Sequence, residues 1–459
     1  MSIFREYDIR GVVGSDLTPS LAEKIGRAYG EMVKAAKGRR VAVGRDVRTS
    51  SPDLHAGLLR GLVSTGTEVL DVGICPTPLL YFSLFRFPVD GGVMITGSHN
   101  PAEYNGFKLC IGKEALYGDG IQAIRKRVEA MGDEFAPAPA ESPQESPVIP
   151  LYQEYLREQF RGLSGSGVKV VLDSGNGTAG LVAPPIFRSL GCEVVELYSE
   201  PDGHFPNHHP DPTVAENLED LIRTVKREGA AFGVGYDGDA DRIGVVDDRG
   251  NILWGDQLMV IFSRDILMER PGATIISEVK ASQLLFDDIR RQGGRAVMWR
   301  TGHSLIKAKL KEEGAALAGE MSGHLFFADR YFGFDDAIYA SVRLLDLVIR
   351  SRKPLSDFLS DLPPSYATPE IRVDCPDSEK FGVVLELKEN LKRIEKTVSD
   401  PDLRILDVIT IDGVRVVFEG GWGLVRASNT QPVLVLRFEA VSPEMLSKIR
   451  GFIEGLIRK

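Results

Sequence analysis

Cysteine is scarce. The chain has 4 in 459 residues, and Cys75, Cys110, Cys192 and Cys375 form no C-x-x-C pair, which argues against a disulfide framework and a cysteine-rich zinc knuckle. Reduced core thiols in a cytoplasmic protein are expected. Long hydrophobic runs are missing too: the most apolar stretch, 72–87, holds Pro76, Pro78 and Arg86, so no uninterrupted membrane helix of ordinary length is expected. At the N-terminus Arg5, Glu6 and Asp8 interrupt the apolar core that a signal peptide needs. Positive charge is in deficit. The 55 Lys and Arg stand against 65 Asp and Glu, a formal net charge of -10, which is the wrong sign for wrapping nucleic acid. Any phosphate it binds must meet a local basic pocket.

What is present is ordinary globular composition, 43% hydrophobic and 26% charged, over a length that calls for several cores rather than one. Short β-rich runs at 40–44, 68–72 and 92–96 alternate with amphipathic stretches, the pattern of α/β units. Runs such as Val93-Met94-Ile95, apolar on both faces, fit strands covered by helices, with chemistry at their C-terminal ends. The proline-rich segment 134–150 reads as a linker. A second unit follows with a helix over 152–161 and strands at 168–173, 231–234 and 243–247. A third has strands at 273–277 and 295–299 and closes at Pro363-Pro364. The last stretch mixes a helix at 380–396 with strands at 405–411, 414–418, 423–428 and 433–440 and a final helix at 443–458, an α+β domain. The expected domains are 1–147, 148–250, 251–363 and 364–459. Three related units suggest duplication, without the short period of a solenoid.

Four stretches carry chemistry. Thr96-Gly97-Ser98-His99-Asn100-Pro101 follows a buried strand and displays Ser98 at its tip, where a nucleophile or phosphate carrier is useful. In Asp237-Gly238-Asp239-Ala240-Asp241-Arg242, three carboxylates at alternate positions can curl around one hard divalent cation, for which magnesium is expected. A helical calcium loop is excluded, because Arg242 stands where glycine is required and the flanks read as strands. In Gly319-Glu320-Met321-Ser322-Gly323-His324, an extended backbone would point Glu320 and Ser322 the same way, toward adjacent sugar hydroxyls, with His324 as a proton carrier. Arg426-Ala427-Ser428-Asn429-Thr430-Gln431-Pro432 reads as an anion clamp built on a guanidinium and two hydroxyls. His208-His209 is set aside as a metal site, since adjacent histidines do not easily converge on one cation.

In this order the four stretches resemble the signature of the α-D-phosphohexomutase superfamily, in its bacterial phosphomannomutase/phosphoglucomutase branch. The resemblance spans nearly the whole chain. It also takes in Tyr7-Asp8-Ile9-Arg10-Gly11, Lys108, Asn207-His208-His209-Pro210-Asp211-Pro212, Lys280 and Thr301-Gly302-His303-Ser304. It implies three similar mixed α/β sandwich domains and a C-terminal α+β domain around a central cleft. It also implies Ser98 as the phosphoserine and Ser98, Asp237, Asp239 and Asp241 as ligands of Mg2+. Lys108, His303, His324, Arg10 and Arg242 would be catalytic, with Lys108, His303 and His324 as candidate proton carriers. Tyr7, His99, Asn100, Lys280, Gly302, Glu320, Ser322, Arg426, Ser428, Asn429 and Thr430 would hold substrate.

The implied reaction moves phosphate between C1 and C6 of mannose or glucose phosphates through a hexose 1,6-bisphosphate, with glucose 1,6-bisphosphate as activator and intermediate. The implied enzyme takes small hexose phosphates as its only partners, with neither nucleic acid nor membrane, as a monomer or weak dimer. The glucosamine-phosphate relatives differ at Met321, at Ala240 and through 428–432, which points away from them. Within the branch, Gln431 departs from an expected small residue. A metal-dependent sugar phosphatase using Ser98 as a transient acceptor, and a sugar-phosphate sensor without turnover, are the competing functions. The remote clamp around Arg426 disfavours the first and the joint retention of Ser98, three Asp and two His the second.

Overall fold

Apolar runs become strands buried on both faces, as parallel strands flanked by helices must be. Every residue of Gly91–Ile95 is buried, and this strand pairs in parallel with Arg40–Arg45, which pairs in parallel with Glu68–Ile74. The computed structural model describes residues 3–132, 143–394, 400–429 and 431–457, and among them the chain forms four sheets.

The first three sheets repeat one plan. Side by side in the first lie Glu68–Ile74, Arg40–Arg45, Gly91–Ile95 and Tyr104–Ile111, the last antiparallel to its neighbour. Glu193–Leu197, Lys169–Asp173, Phe232–Tyr236 and Ile243–Asp247 follow the same order in the second, and Arg295–Trp299, Thr274–Glu278, Leu317–Gly319 and Leu325–Phe327 in the third. Each is a parallel core ordered second, first, third, closed by an antiparallel fourth strand. The connections into that fourth strand, 96–103, 237–242 and 320–324, are the first three stretches of candidate chemistry. The fourth sheet pairs antiparallel throughout its described strands, and its hairpin between Gly421–Ala427 and Val433–Ala440 carries the Arg426 stretch.

The first sheet holds four strands that the sequence pattern did not show, Ile9–Val12, Tyr104–Ile111, Glu114–Ala115 and Gln144–Glu145. Ile9–Val12 joins antiparallel to Tyr104–Ile111, and Gln144–Glu145 covers the edge of Glu68–Ile74. Of the segment read as a linker, 134–142 lies outside the described residues. The rest supplies this edge strand and the start of the helix Ile149–Gln159, because the backbone groups of an open sheet edge take up any extended neighbour. The helix expected at 380–396 is described as Lys380–Ile394 and the one expected at 443–458 as Pro443–Ile457, the remaining residues lying outside the described ones.

The helix Pro19–Ala35 starts where the Thr18 hydroxyl accepts the Leu21 N–H at 3.2 Å, with Pro19 in the first turn, where no amide hydrogen is needed. It crosses the helix Ser51–Ser64 almost backbone to backbone. A Cβ on Gly26 would lie 2.3 Å from the Leu58 carbonyl oxygen, and one on Gly61 2.0 Å from that of Glu23. Only hydrogen fits there.

One apolar cluster runs through the first three units, joining Leu79 and Phe82 to Tyr152 and Phe187 and on to Phe327 and Tyr339. The fourth unit packs separately around Leu387, Val416, Phe438 and Ile449. It meets the third through Val279, Trp422 and Leu424. There Arg415 stacks 3.6 Å from the Trp422 ring centroid and donates to the carbonyls of Val279 at 2.6 Å and Ala281 at 2.8 Å. All four cysteines are buried and free, and burial pushes the thiols of Cys75 and Cys110 up to about 12, which leaves them inert. No helix among the described residues is long and apolar enough to cross a membrane.

Candidate active site

Ser98 follows the buried strand Gly91–Ile95 and adopts the left-handed φ of 49°. Its Oγ donates to Asp237 Oδ2 at 2.8 Å and lies 3.1 Å from His99 Nδ1. Asp237, Asp239 and Asp241 are fully buried, with one oxygen from each within 4.8 Å of the others. Ala240, at φ 57°, gives the turn that folds the acids back on one another. Lys108, on Tyr104–Ile111, reaches Asp239 at 3.0 Å and also bonds Asp241, while the Thr77 hydroxyl donates to Asp239 at 2.5 Å.

Burial, then repulsion from the other two acids, pushes the Asp237 carboxyl well above its ordinary range. Burial acts the same way on Asp239, but Lys108 and Thr77 outweigh it and hold that group low. Asp239 Oδ1 and Asp241 Oδ1 are buried without a hydrogen-bond partner. Orphaned oxygens on a converging acidic trio are the donor set of a hard divalent cation, so these residues fit the expected metal.

Cationic groups ring the same spot. Arg10 bonds Asn100 Oδ1 and Asp8 Oδ2, each at 2.6 Å, which brings the N-terminal strand to the Ser98 loop. Arg242 Nε donates to His324 Nε2 at 3.0 Å. Arginine can only donate, so in a neutral imidazole the proton sits on Nδ1, which lies 3.1 Å from Asp335 Oδ2. Asp335 also accepts from Lys307 at 3.0 Å and lies 3.9 Å from His303 Nδ1. Burial opposes its charge, yet Lys307 and His324 hold its carboxyl well below the usual range. Burial, then the charge of Lys307, keeps His303 neutral. Lys108 is also penalised by burial, but Asp239 and Asp241 keep it charged, which suits charge neutralisation better than proton acceptance.

The 320–324 loop is not extended, which corrects the expected backbone. Glu320 and His324 are bridged by a 2.9 Å backbone bond, Gly323 N donates to Glu320 O at 3.0 Å, and Gly323 sits at φ 86°, so the chain reverses. The half-buried Ser322 therefore lies on the turn, while Glu320 Oε1 accepts the Gly302 N–H at 2.7 Å. Gly302 has φ 132°, and a Cβ there would fall 2.5 Å from Tyr7 Cζ. The Tyr7 hydroxyl donates to Thr301 O at 2.9 Å and accepts from Asn429 Nδ2 at 2.8 Å, so the first, third and fourth units meet on one phenol.

Lys280 pairs with Glu370 at 3.0 Å, across the connection from the third unit to the fourth. Arg426 Nε donates to Asp412 Oδ2 at 3.1 Å, and the same oxygen accepts from Thr301 N at 3.0 Å. Ser428 Oγ accepts from Gln431 N at 3.1 Å within the hairpin; Thr430 lies outside the described residues. His208 is occupied inside the second unit, 3.0 Å from Asp173 Oδ2 and 2.9 Å from His209 O. Thr77, Lys307 and Asp335 were missed from sequence. Each is a lone polar residue outside any motif, and only Asp335-Asp336, two acids at the start of a helical stretch, left a trace.

Family models for the phosphoglucomutase/phosphomannomutase alpha/beta/alpha domains I, II and III match residues 1–134, 150–250 and 254–366, and the model for its C-terminal domain matches 370–455. A phosphomannomutase/phosphoglucomutase of Pseudomonas aeruginosa is 47% identical over 457 residues, covering 100% of this chain and 96% of the relative. A phosphoglucomutase of Neisseria gonorrhoeae is 43% identical over 99% of this chain and 96% of its own length. The crystal structure of a phosphoglucomutase/phosphomannomutase family protein from Burkholderia thailandensis superposes with a TM-score of 0.90 at 42% identity, covering 99% of this chain and 97% of that one. With full-length identity of this order and a match in all four domains, the chain belongs to the phosphoglucomutase/phosphomannomutase family.

Proposed function

We propose that this protein interconverts the 1- and 6-phosphates of mannose, glucose or both, in the cytoplasm, as a monomer or weak dimer built of domains 1–147, 148–250, 251–363 and 364–459. The observation that carries this is the 2.8 Å contact of Ser98 Oγ with a buried carboxylate trio that still has two unpartnered oxygens. Phosphorylated Ser98 passes its phosphoryl group to the free hydroxyl of a hexose monophosphate. The resulting 1,6-bisphosphate turns end for end and returns its other phosphate to Ser98.

Lys108, Arg10 and Arg242 offset charge on the transferring group, since such transition states need mainly positioning and electrostatic stabilisation. Ser98, Asp237, Asp239 and Asp241 would hold magnesium, which when bound would supply a further positive centre at the site. His324 Nε2 takes up the proton of the attacking hydroxyl once Arg242 leaves that atom for the transferring phosphoryl group, Asp335 stabilises the imidazolium that forms, and the proton then passes to Ser98 Oγ as it becomes a hydroxyl again. His303 stays neutral beside it. Arg426, Ser428, Asn429 and Thr430 hold the phosphate that is not moving; Glu320 and Ser322 hold sugar hydroxyls; Tyr7, His99, Asn100, Lys280 and Gly302 complete the substrate contacts. If only the C3 and C4 hydroxyls are gripped, the configuration at C2 is weakly read and both sugars fit.

The test is phosphorus NMR of glucose 1-phosphate and mannose 1-phosphate with magnesium and a trace of glucose 1,6-bisphosphate. The 6-phosphates should appear without inorganic phosphate. Release of inorganic phosphate matching substrate loss would make the protein a phosphatase.

A further inference from the structure

Arg48 bonds no side chain assigned to phosphate transfer, yet five hydrogen bonds from its guanidinium surround the nucleophile's loop. It lies between the strand Arg40–Arg45 and the helix Ser51–Ser64, and its side chain has no exposed surface, at 0%. Nη2 donates to the carbonyls of Ser98 at 2.8 Å and Asn100 at 2.6 Å. Nη1 donates to those of Pro101 at 2.5 Å and Tyr104 at 2.9 Å, and Nε to Asp46 Oδ2 at 3.2 Å. Every N–H of the guanidinium is thereby used, in a fork that lysine cannot reproduce. Asp46 completes the frame by accepting from Gly97 N at 3.1 Å. Across the domain boundary, the Phe205 ring centroid lies 5.0 Å from Arg48 Cζ.

The loop held this way is strained. Ser98 keeps φ 49°, a conformation that a residue with a Cβ retains only where its surroundings over-determine it. Its hydroxyl must also occupy one place in both half-reactions, giving phosphate in one and receiving it in the other. A misplacement near 1 Å costs on the order of 100-fold in rate.

Resting on the mutase reading above, we infer that Arg48 is a positioning residue for the reaction. It gathers three carbonyls of the phosphoserine loop and that of Tyr104, where the next strand begins, onto one buried guanidinium and so fixes where Ser98 Oγ faces Asp237. It acts through the loop backbone and contacts neither sugar nor phosphate.

Arg48→Lys keeps the charge and loses the fork, and should lower kcat for glucose 1-phosphate about 100-fold while KM stays within about two-fold, because ground-state sugar contacts are untouched. Gly97→Ala is the second variant. Its Cβ would fall 2.5 Å from Arg48 Cζ and 2.9 Å from the Tyr104 carbonyl oxygen that Arg48 holds, so it parts the guanidinium from the loop without altering any reacting side chain, and the same kcat loss is expected. Gly97→Ala decides the matter if Arg48→Lys fails to fold by circular dichroism. Either variant folded with kcat intact, or a KM that rises in step with the loss, overturns the role of Arg48. Wild-type protein is assayed alongside for uptake of one phosphate on Ser98 by intact mass and for sugar interconversion. Failure of both overturns the mutase reading and this role with it, whereas wild-type success beside active variants overturns the role of Arg48 alone.

Discussion

At the scale of single residues, the site divides into groups that announce themselves and groups that do not. Ser98 and the three acids stand in contiguous motifs whose spacing already implies a carrier and a cation. Ser98→Ala should abolish phosphate uptake from glucose 1,6-bisphosphate, read by intact mass; a variant that still gains phosphate removes Ser98 from its role. Dialysis against a chelator should likewise stop turnover, with magnesium restoring it in wild type but poorly in Asp239→Asn. Asp335 had no motif. It is a single buried carboxylate brought by the fold against Lys307 and His324. Asp335→Asn keeps the shape and loses the charge that supports the imidazolium, so kcat should fall at least about 100-fold in protein that remains folded by circular dichroism. Unchanged turnover would show that His324 works without it.

The scale of elements explains why the motifs sit where they do. In each of the first three units the chemistry occupies the link at which a parallel core turns antiparallel, and the strand order that creates this link arises from pairing across the sheet. The same distinction accounts for the misread 320–324 loop: its residues suit an extended backbone as well as a turn, and the contact of Glu320 with Gly302, eighteen positions away in sequence, is non-local.

Asp336 shows an element end under comparable tertiary control. It caps the helix Ala337–Ser351 by accepting the Tyr339 N–H at 2.8 Å and also accepts from Tyr152 at 2.8 Å and Tyr331 at 2.7 Å. Burial raises its carboxyl from the ordinary 3.8 to about 6. The folded state therefore binds this proton more tightly than the unfolded chain, and the associated stability is complete below about pH 4 and lost as pH rises through about 6. Relative to Asp336→Asn, wild type should gain on the order of 3 kcal/mol between pH 7 and pH 4, measured by urea unfolding. A difference that does not vary with pH would place the titration elsewhere.

The whole molecule is three units joined by one shared apolar cluster, with a fourth attached to the third through a smaller apolar seam. Trp422, 1% exposed, fills that seam under Arg415. Trp422→Ala should cost about 3–5 kcal/mol in urea unfolding. It should also speed proteolysis of the connection near 364–370, since the fourth unit keeps its own core when the seam loosens. Equal cleavage rates in variant and wild type would mean that the seam does not hold the unit.

Composition, period and motif determined the α/β class, the succession of four units and the local stretches that carry Ser98, the acidic trio and Arg426, because these depend on residues adjacent in the chain. Why His303 stays neutral, how Glu320 is turned, what holds Ser98 in its left-handed conformation and how Tyr7 gathers three units were decided only by tertiary structure. Each of those depends on a buried partner far away in sequence, whose charge and hydrogen bonds act through space and leave no period or spacing behind.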